Sequence, residues 1–255
     1  MTVLSGKEVV AAIKSKLSED VAALKEKGIN PTLAIVRVGE REDDLSYEKG
    51  ATTRCKGVGI EIKKFVFPVD VPQEELIKTI KQINEDSSIH GVLIFRPLPK
   101  TIDDNAVREA LAPEKDVDGI TDKSMTGVYS GNGMGYAPCT PSACMAILDH
   151  YGIDLTGKNV VVVGRSLVVG KPLAMMLIQK NATVTVCHTR TRDMEKITSA
   201  ADILVVAAGK AGMIGAKHVS SGQIVIDVGI NVTEEGKLTG DVKYDEVSAI
   251  VDAIT

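Results

Sequence analysis

The stretch NVVVVGRSLVVGKP, Asn159–Pro172, decides how this chain is read. A run of four valines closes on Gly164, a polar turn follows, and Gly170-Lys171-Pro172 starts a helix, so the segment is a buried strand, a tight turn and a helix N-terminus. A dinucleotide-binding turn places glycines at its first, third and sixth positions. Here those positions hold Gly164, Ser166 and Val169, and Gly170 comes one residue late. A phosphate-binding P-loop fits worse, because five residues rather than four precede Gly170-Lys171 and Pro172 stands where a Ser or Thr must bind magnesium. An ordinary turn in a doubly wound sheet stays open on this segment alone. The next strand narrows the choice. An acid at its end would bind the ribose 2′-hydroxyl of NAD, whereas ATVTVCHTRTRD ends in His188, Thr189, Arg190 and Arg192. Those donors, with Arg165 in the turn, match a 2′-phosphate and point to NADP; the alternative is a set of solvated loop charges.

Working outward, helix and strand signals alternate along the chain, the pattern of an α/β protein. An amphipathic helix from Gly6 to Lys27 stops at Gly28, and PTLAIVRVG follows as a strand. Residues 40–56 have helical composition, IEIKKFVF reads as a strand, PQEELIKTIKQINED as a helix opened by Pro72, and HGVLIFRPLP as a strand broken by Pro97 and Pro99. From Gly127 to Pro141 glycine, serine, proline and asparagine accumulate, the composition of a joint between two lobes. Beyond it NVVVVG, ATVTVCH, ADILVVAAG and QIVIDVG are near-continuous apolar strands, as in a parallel sheet covered on both faces. The expected architecture is therefore two α/β lobes: residues 1–126, a joint at 127–141, and a Rossmann-like doubly wound domain at 142–255.

Bulk properties exclude several classes of function. The 255 residues are 44% hydrophobic, enough for one large core or two modest ones, and the net charge of −4 argues against a nucleic-acid partner. The apolar runs fall far short of the ~20 residues of a membrane span, and MTVLSGKEVV lacks the apolar core of a secretory signal. Cys55, Cys139, Cys144 and Cys187 have no paired or zinc-like spacing, so neither a disulfide nor a metal is expected, and free thiols suit a cytoplasmic location. His90, His150, His188 and His218 show no metal-ligand or nucleophile spacing. His188 alone is expected to line a cofactor site.

The chain as a whole resembles the methylenetetrahydrofolate dehydrogenase/cyclohydrolase family. The family turn G-R-S-x-x-V-G-x-P matches Gly164, Arg165, Ser166, Val169, Gly170 and Pro172, and further blocks match as PCTP at Pro138–Pro141, IDVGIN at Ile226–Asn231, GDV at Gly240–Val242, PLP at Pro97–Pro99 and PEKDVDG at Pro113–Gly119. The resemblance implies a folate-binding catalytic domain at 1–126 and NADP-dependent oxidation of 5,10-methylenetetrahydrofolate by a homodimer. It implies that Asp118 orients the pterin, Tyr47 stacks on the substrate, and Phe95 and Pro97 line its pocket. It also implies a cofactor site of Gly164, Arg165, Ser166, Val169, Gly170, His188, Thr189, Arg190 and Ile230.

Departures from the family pattern carry as much information as the matches. The family reads Y-x-x-x-K, and its lysine is tied to hydrolysis of the methenyl product; here YEKGA puts Ala51 at that position. The family glutamine of Q-L-P-L-P supports the lysine, and here FRPLP puts Phe95 there and Arg96 beside it. Lys49 and Lys56 lie roughly 200° and 180° around a helix from Tyr47, on the wrong face to substitute. Cyclohydrolase activity is therefore expected to be lost or weak. Asp44 stands at a common family serine and Ala143 at a glycine. The family's P-V-P-G-G-V-G-P-M-T loop and last helix have no counterpart before Thr255.

Overall fold

A computed structural model describes residues 1–233 and 235–255. In chain order the elements are β1 (Thr2–Val3), α1 (Gly6–Glu26), β2 (Thr32–Val38), α2 (Glu42–Lys56), β3 (Glu61–Phe67), α3 (Gln73–Glu85), β4 (Gly91–Ile94), α4 (Asp104–Ala110), α5 (Asp122–Ser130), α6 (Cys139–His150), β5 (Asn159–Val163), α7 (Gly170–Gln179), β6 (Thr183–Cys187), α8 (Met194–Ser199), β7 (Ile203–Val206), β8 (Ile224–Asp227), β9 (Asn231–Val232), β10 (Leu238–Thr239), α9 (Tyr244–Ser248) and β11 (Ala253–Ile254). They form two compact units, Val10–Ala137 and Met1–Val9 with Pro138–Thr255. The first residues, which the sequence reading leaves with the first lobe, count with the second unit because β1 pairs in parallel with β11. Within the stretch read as a joint, Gly127–Ser130 complete α5, and Cys139 already opens α6.

The unit Val10–Ala137 is built on a three-stranded parallel sheet in the order β3-β2-β4. The run Ala34–Val38 in the central strand is buried throughout, as expected for a strand covered on both faces. Leu76, Ile80 and Ile83 recur at helical spacing along α3 and pack against Ala34, Val36 and Val38. Gly28, at φ +78°, ends α1's C-terminal turn in the left-handed region, where a glycine carries no Cβ penalty.

The other unit holds a six-stranded parallel sheet in the order β1-β11-β8-β7-β5-β6. Successive valines of β5 serve opposite faces. Val160 and Val162 pack with Leu148, Leu173 and Leu177, and Val161 and Val163 with Leu204, Val206 and Val247. Each such side chain contributes about 1.5–3 kcal/mol by leaving water. β6 departs from the expected full coverage: it is the edge strand, and Thr183, Thr185 and Val186 are exposed. Because β6 lies on one side of β5 and β7 on the other, the chain reverses direction across the sheet at β5. The crevice at the carboxyl ends of β5 and β7 is where such sheets bind ligands. Among the described residues no helix is long and apolar enough to cross a membrane.

Candidate functional site

Two clusters, one in each unit, gather the residues singled out from the sequence. In the unit Val10–Ala137, Tyr47 projects from the exposed face of α2 with 62% of its surface accessible. Its ring meets Phe95 edge-on, with centroids 5.5 Å apart and planes at 73°, a favoured aromatic geometry. Phe95 follows β4 and is 6% exposed. Ala51, half-buried, lies one turn beyond Tyr47 on α2, about 40° around the axis. Pro97 belongs to the same edge, and its carbonyl accepts a long bond from Arg41 Nη1 at 3.5 Å. Arg96 is committed elsewhere. Its guanidinium grips Asp104 at the start of α4, with Nε 2.6 Å from Oδ1 and a second bond from Nη2 to Oδ2.

Asp118 is half-buried in the turn after the short 3-10 helix Pro113–Lys115, and Gly119 beside it has φ +64°. The other acid of the DVDG turn does different work. Asp116 is wholly buried and accepts bonds from Ile120 N at 3.0 Å, Thr121 N at 2.8 Å and Ser124 Oγ at 2.7 Å. It thereby fixes the turn that carries Asp118. A bridge between Val92 and Asp116 sets this turn alongside β4, leaving Asp118 two residues beyond the bridge toward the carboxyl edge. Sequence reasoning missed Asp116, although Thr121, three residues before Ser124, was a legible helix-cap signal.

Behind Tyr47 the helix is held by charge. Glu48, 7% exposed, accepts a bond from Arg37 Nε at 2.8 Å and one from Lys64 Nζ at 2.6 Å; Arg37 also reaches the Gly39 carbonyl. Burial works to raise the Glu48 carboxyl, but the two cationic donors outweigh it and hold the group below its ordinary value. The sequence carried no periodic signal for this triad, because its members come from β2, α2 and β3.

In the second unit, the turn after β5 is held against the loop after β7. A Cβ on Gly164 would overlap the Ala207 carbonyl oxygen, and one on Gly170 would overlap the Gly164 carbonyl. Glycine is needed at both places for close approach, whatever the spacing of the dinucleotide pattern. Ser166 Oγ accepts from Val169 N at 3.0 Å, shaping the entry to α7. Arg165, Thr189 and Arg190 are exposed, and neither arginine forms an ion pair with a described residue. His188 is fixed at the end of β6: its N–H donates to Thr191 Oγ1 at 2.8 Å, and its Nδ1 accepts from Arg190 N at 3.1 Å. Thr191 is thus a further organising residue that the sequence reading passed over. Ile230, in the loop after β8, is 80% exposed. A helix N-terminus, a close-packed turn, two exposed arginines and no acid at the end of β6 make a donor set that fits a dinucleotide with a 2′-phosphate. Among the described residues no cluster of three or more His, Cys, Asp or Glu could hold a metal.

Comparison with known proteins gives both units a family. Residues 4–118 match the model described as tetrahydrofolate dehydrogenase/cyclohydrolase, catalytic domain, and residues 138–255 match its NAD(P)-binding domain. Among curated relatives, the bifunctional protein FolD of Carboxydothermus hydrogenoformans is 49% identical over 254 residues, covering 99% of this chain and 88% of the relative. That of Clostridioides difficile is 46% identical over 253 residues, covering 99% and 88%. The crystal structure of the bifunctional FolD enzyme from Campylobacter jejuni superimposes with a TM-score of 0.97 at 40% identity, covering 100% of this chain and 90% of that one. The Trypanosoma brucei dehydrogenase-cyclohydrolase, complexed with NADP cofactor and an inhibitor, matches with a TM-score of 0.90 at 33% identity, covering 100% and 89%. The chain belongs to the tetrahydrofolate dehydrogenase/cyclohydrolase family.

Proposed function

We propose that this protein oxidises 5,10-methylenetetrahydrofolate to the methenyl form with NADP, and that its hydrolysis of that product is lost or weak. The observation that carries the second half is the wall beside Tyr47. Ala51 stands one turn away on α2, and Phe95 presents a buried ring to Tyr47. Neither side chain accepts or donates a proton.

NADP, when bound, supplies the acceptor for a hydride. The carbon that gives up the hydride lies between two nitrogens whose lone pairs stabilise the resulting cation, so no strong protein base is required. The chain's task is to orient the reactants and exclude water. Asp118 accepts hydrogen bonds from the pterin ring N–H and amino group, and Tyr47 stacks on the aromatic part of the folate. Phe95 and Pro97 form the dry side of the pocket. Gly164, Ser166, Val169 and Gly170 bring the backbone and the N-terminus of α7 to the pyrophosphate. Arg165, Thr189 and Arg190 take the 2′-phosphate, while His188 and Ile230 line the rest of the cofactor site. A cytoplasmic homodimer accords with free cysteines and with the family.

A second reading has its own support: the curated relatives are named bifunctional, which favours both activities in one chain. The test supplies methenyltetrahydrofolate without nucleotide and follows its disappearance against buffer. A rate near the buffer value, beside brisk NADP reduction from the methylene substrate, is expected. Hydrolysis comparable to the dehydrogenase turnover would overturn the monofunctional reading, and no NADP reduction would overturn the dehydrogenase.

A further inference from the structure

Asp241 follows β10 and is wholly buried, yet the donors to its carboxylate are all neutral groups. Its Oδ2 accepts from Ala208 N at 2.7 Å and Gly209 N at 2.9 Å, and its Oδ1 from Lys210 N at 2.7 Å and Asn231 Nδ2 at 2.9 Å. Three successive N–H groups turned onto one anion form a backbone nest, here filled from within the chain. The nest is the loop directly after β7. Ala207, its first residue, donates its N–H to the Val163 carbonyl at 2.8 Å, and its own carbonyl is the surface against which Gly164 is packed. A continuous set of contacts therefore runs from Asp241 through the loop to the Gly164 turn, at the switch point of the sheet.

The same arrangement accounts for two sequence blocks, IDVGIN and GDV, that otherwise have no physical reason to occur together. A Cβ on Gly229 would overlap Asp241, and one on Gly240 would overlap Asp227. Asp227 in turn accepts from Gly229 N at 2.9 Å, Asp241 N at 3.1 Å and Val242 N at 3.0 Å. Each block thus supplies a carboxylate and the glycine that admits the other's carboxylate. A buried carboxylate without a cation is a costly way to hold a loop, and apolar packing would do so with less desolvation. What the carboxylate adds is direction: all three N–H groups must point inward, while Ala208, Gly209 and Lys210 remain exposed on their outer side.

We propose that Asp241 is a positioning residue of the NADP site, holding the loop after β7 in the one conformation that shapes the Gly164 turn for the dinucleotide. This rests on the assignment of the cofactor to that turn. In Asp241→Asn the amide NH2 must face backbone N–H donors, so the nest opens. In Asn231→Ala one of the four donors is removed and the backbone is left in place. Gln223→Ala serves as the comparison, because Gln223 is buried at the amino end of β8 and donates to the Thr198 and Ala201 carbonyls at 2.8 and 2.6 Å, away from the crevice.

The measurements are NADP affinity by calorimetry on the protein without folate, thermal midpoint, and amide exchange at residues 208–210. Asp241→Asn is expected to weaken NADP at least tenfold and to speed exchange at 208–210. Asn231→Ala should weaken NADP by a smaller factor, and Gln223→Ala should lower the thermal midpoint with NADP affinity kept within twofold. If Asp241→Asn does not fold, the contrast between Asn231→Ala and Gln223→Ala decides. Unchanged affinity in folded Asp241→Asn, or in Asn231→Ala when that variant alone is available, overturns the proposal, as does an equal loss in Gln223→Ala. Wild-type protein that binds no NADP overturns the cofactor assignment and this inference with it.

Discussion

Restoring lysine and glutamine at positions 51 and 95 tests the reading of the folate side most directly. Water must add to the methenyl carbon, and a positioned base contributes typically ~10² to 10⁴-fold to such a step, or about 2.7 to 5.5 kcal/mol at 1.36 kcal/mol per tenfold. The structure sets what each replacement must overcome. Phe95 is 6% exposed and its ring contacts Tyr47, so Phe95→Gln forfeits an aromatic pair worth about 0.5–1.5 kcal/mol. It also buries an amide, which costs a further ~1–3 kcal/mol if left unpaired. Ala51→Lys alone places an amine beside that ring with no partner to orient it. Each single variant should therefore raise hydrolysis less than about threefold, while the double variant gains about a hundredfold or more, a coupling of at least ~1.4 kcal/mol. The assay is nucleotide-free decay of methenyltetrahydrofolate, with dehydrogenase turnover as the control for intact folding. A double variant that keeps hydride transfer but hydrolyses no faster than wild type would refute the placement of Ala51 and Phe95 at the reacting carbon.

Other outcomes follow from the two clusters. Wild type should prefer NADP to NAD by at least about tenfold in kcat/KM, and Arg165→Ala should erode that preference chiefly by weakening NADP, as expected for a lost charge-assisted bond; steady-state kinetics with both cofactors measure it. Asp118→Asn should raise the folate KM or lower kcat while leaving the calorimetric NADP affinity within about twofold, since an amide cannot accept both pterin bonds and an unmatched donor costs ~1–3 kcal/mol. For Glu48, whose folded carboxyl is held below the ordinary 4.5, the ion triad's stabilisation is fully present above that value and lost as pH falls through the lower folded pKa. Glu48→Gln should accordingly destabilise by on the order of 3 kcal/mol near neutrality, and its gap in thermal midpoint from wild type should narrow as pH falls below 4.5; a gap independent of pH would remove the charge from the explanation.

Much of the molecule was legible in the residues. The valine run of β5, the alternation of helices and strands, and the strand-ending arginines come from local chemistry, since burial on both faces demands continuous apolar strands and a phosphate demands donors. Family blocks singled out Tyr47, Asp118 and the Gly164 turn as candidates, because residue types at fixed spacings can be read without the fold. What lay beyond the sequence depends on contacts between residues far apart in the chain. Two-residue strands such as β1 and β11 have no periodicity to read, and only their pairing reveals them. The edge position of β6 follows from strand order, which apolar composition does not encode. Arg37, Glu48 and Lys64 form an ion triad only where β2, α2 and β3 meet, and Arg96 is paired with Asp104 only once α4 is in place. The sequence by itself determined which family the chain belongs to, because that rests on residue type and local spacing; the tertiary structure decided which carboxylates are buried and hold loops, because burial and hydrogen-bond partners exist only once distant segments meet.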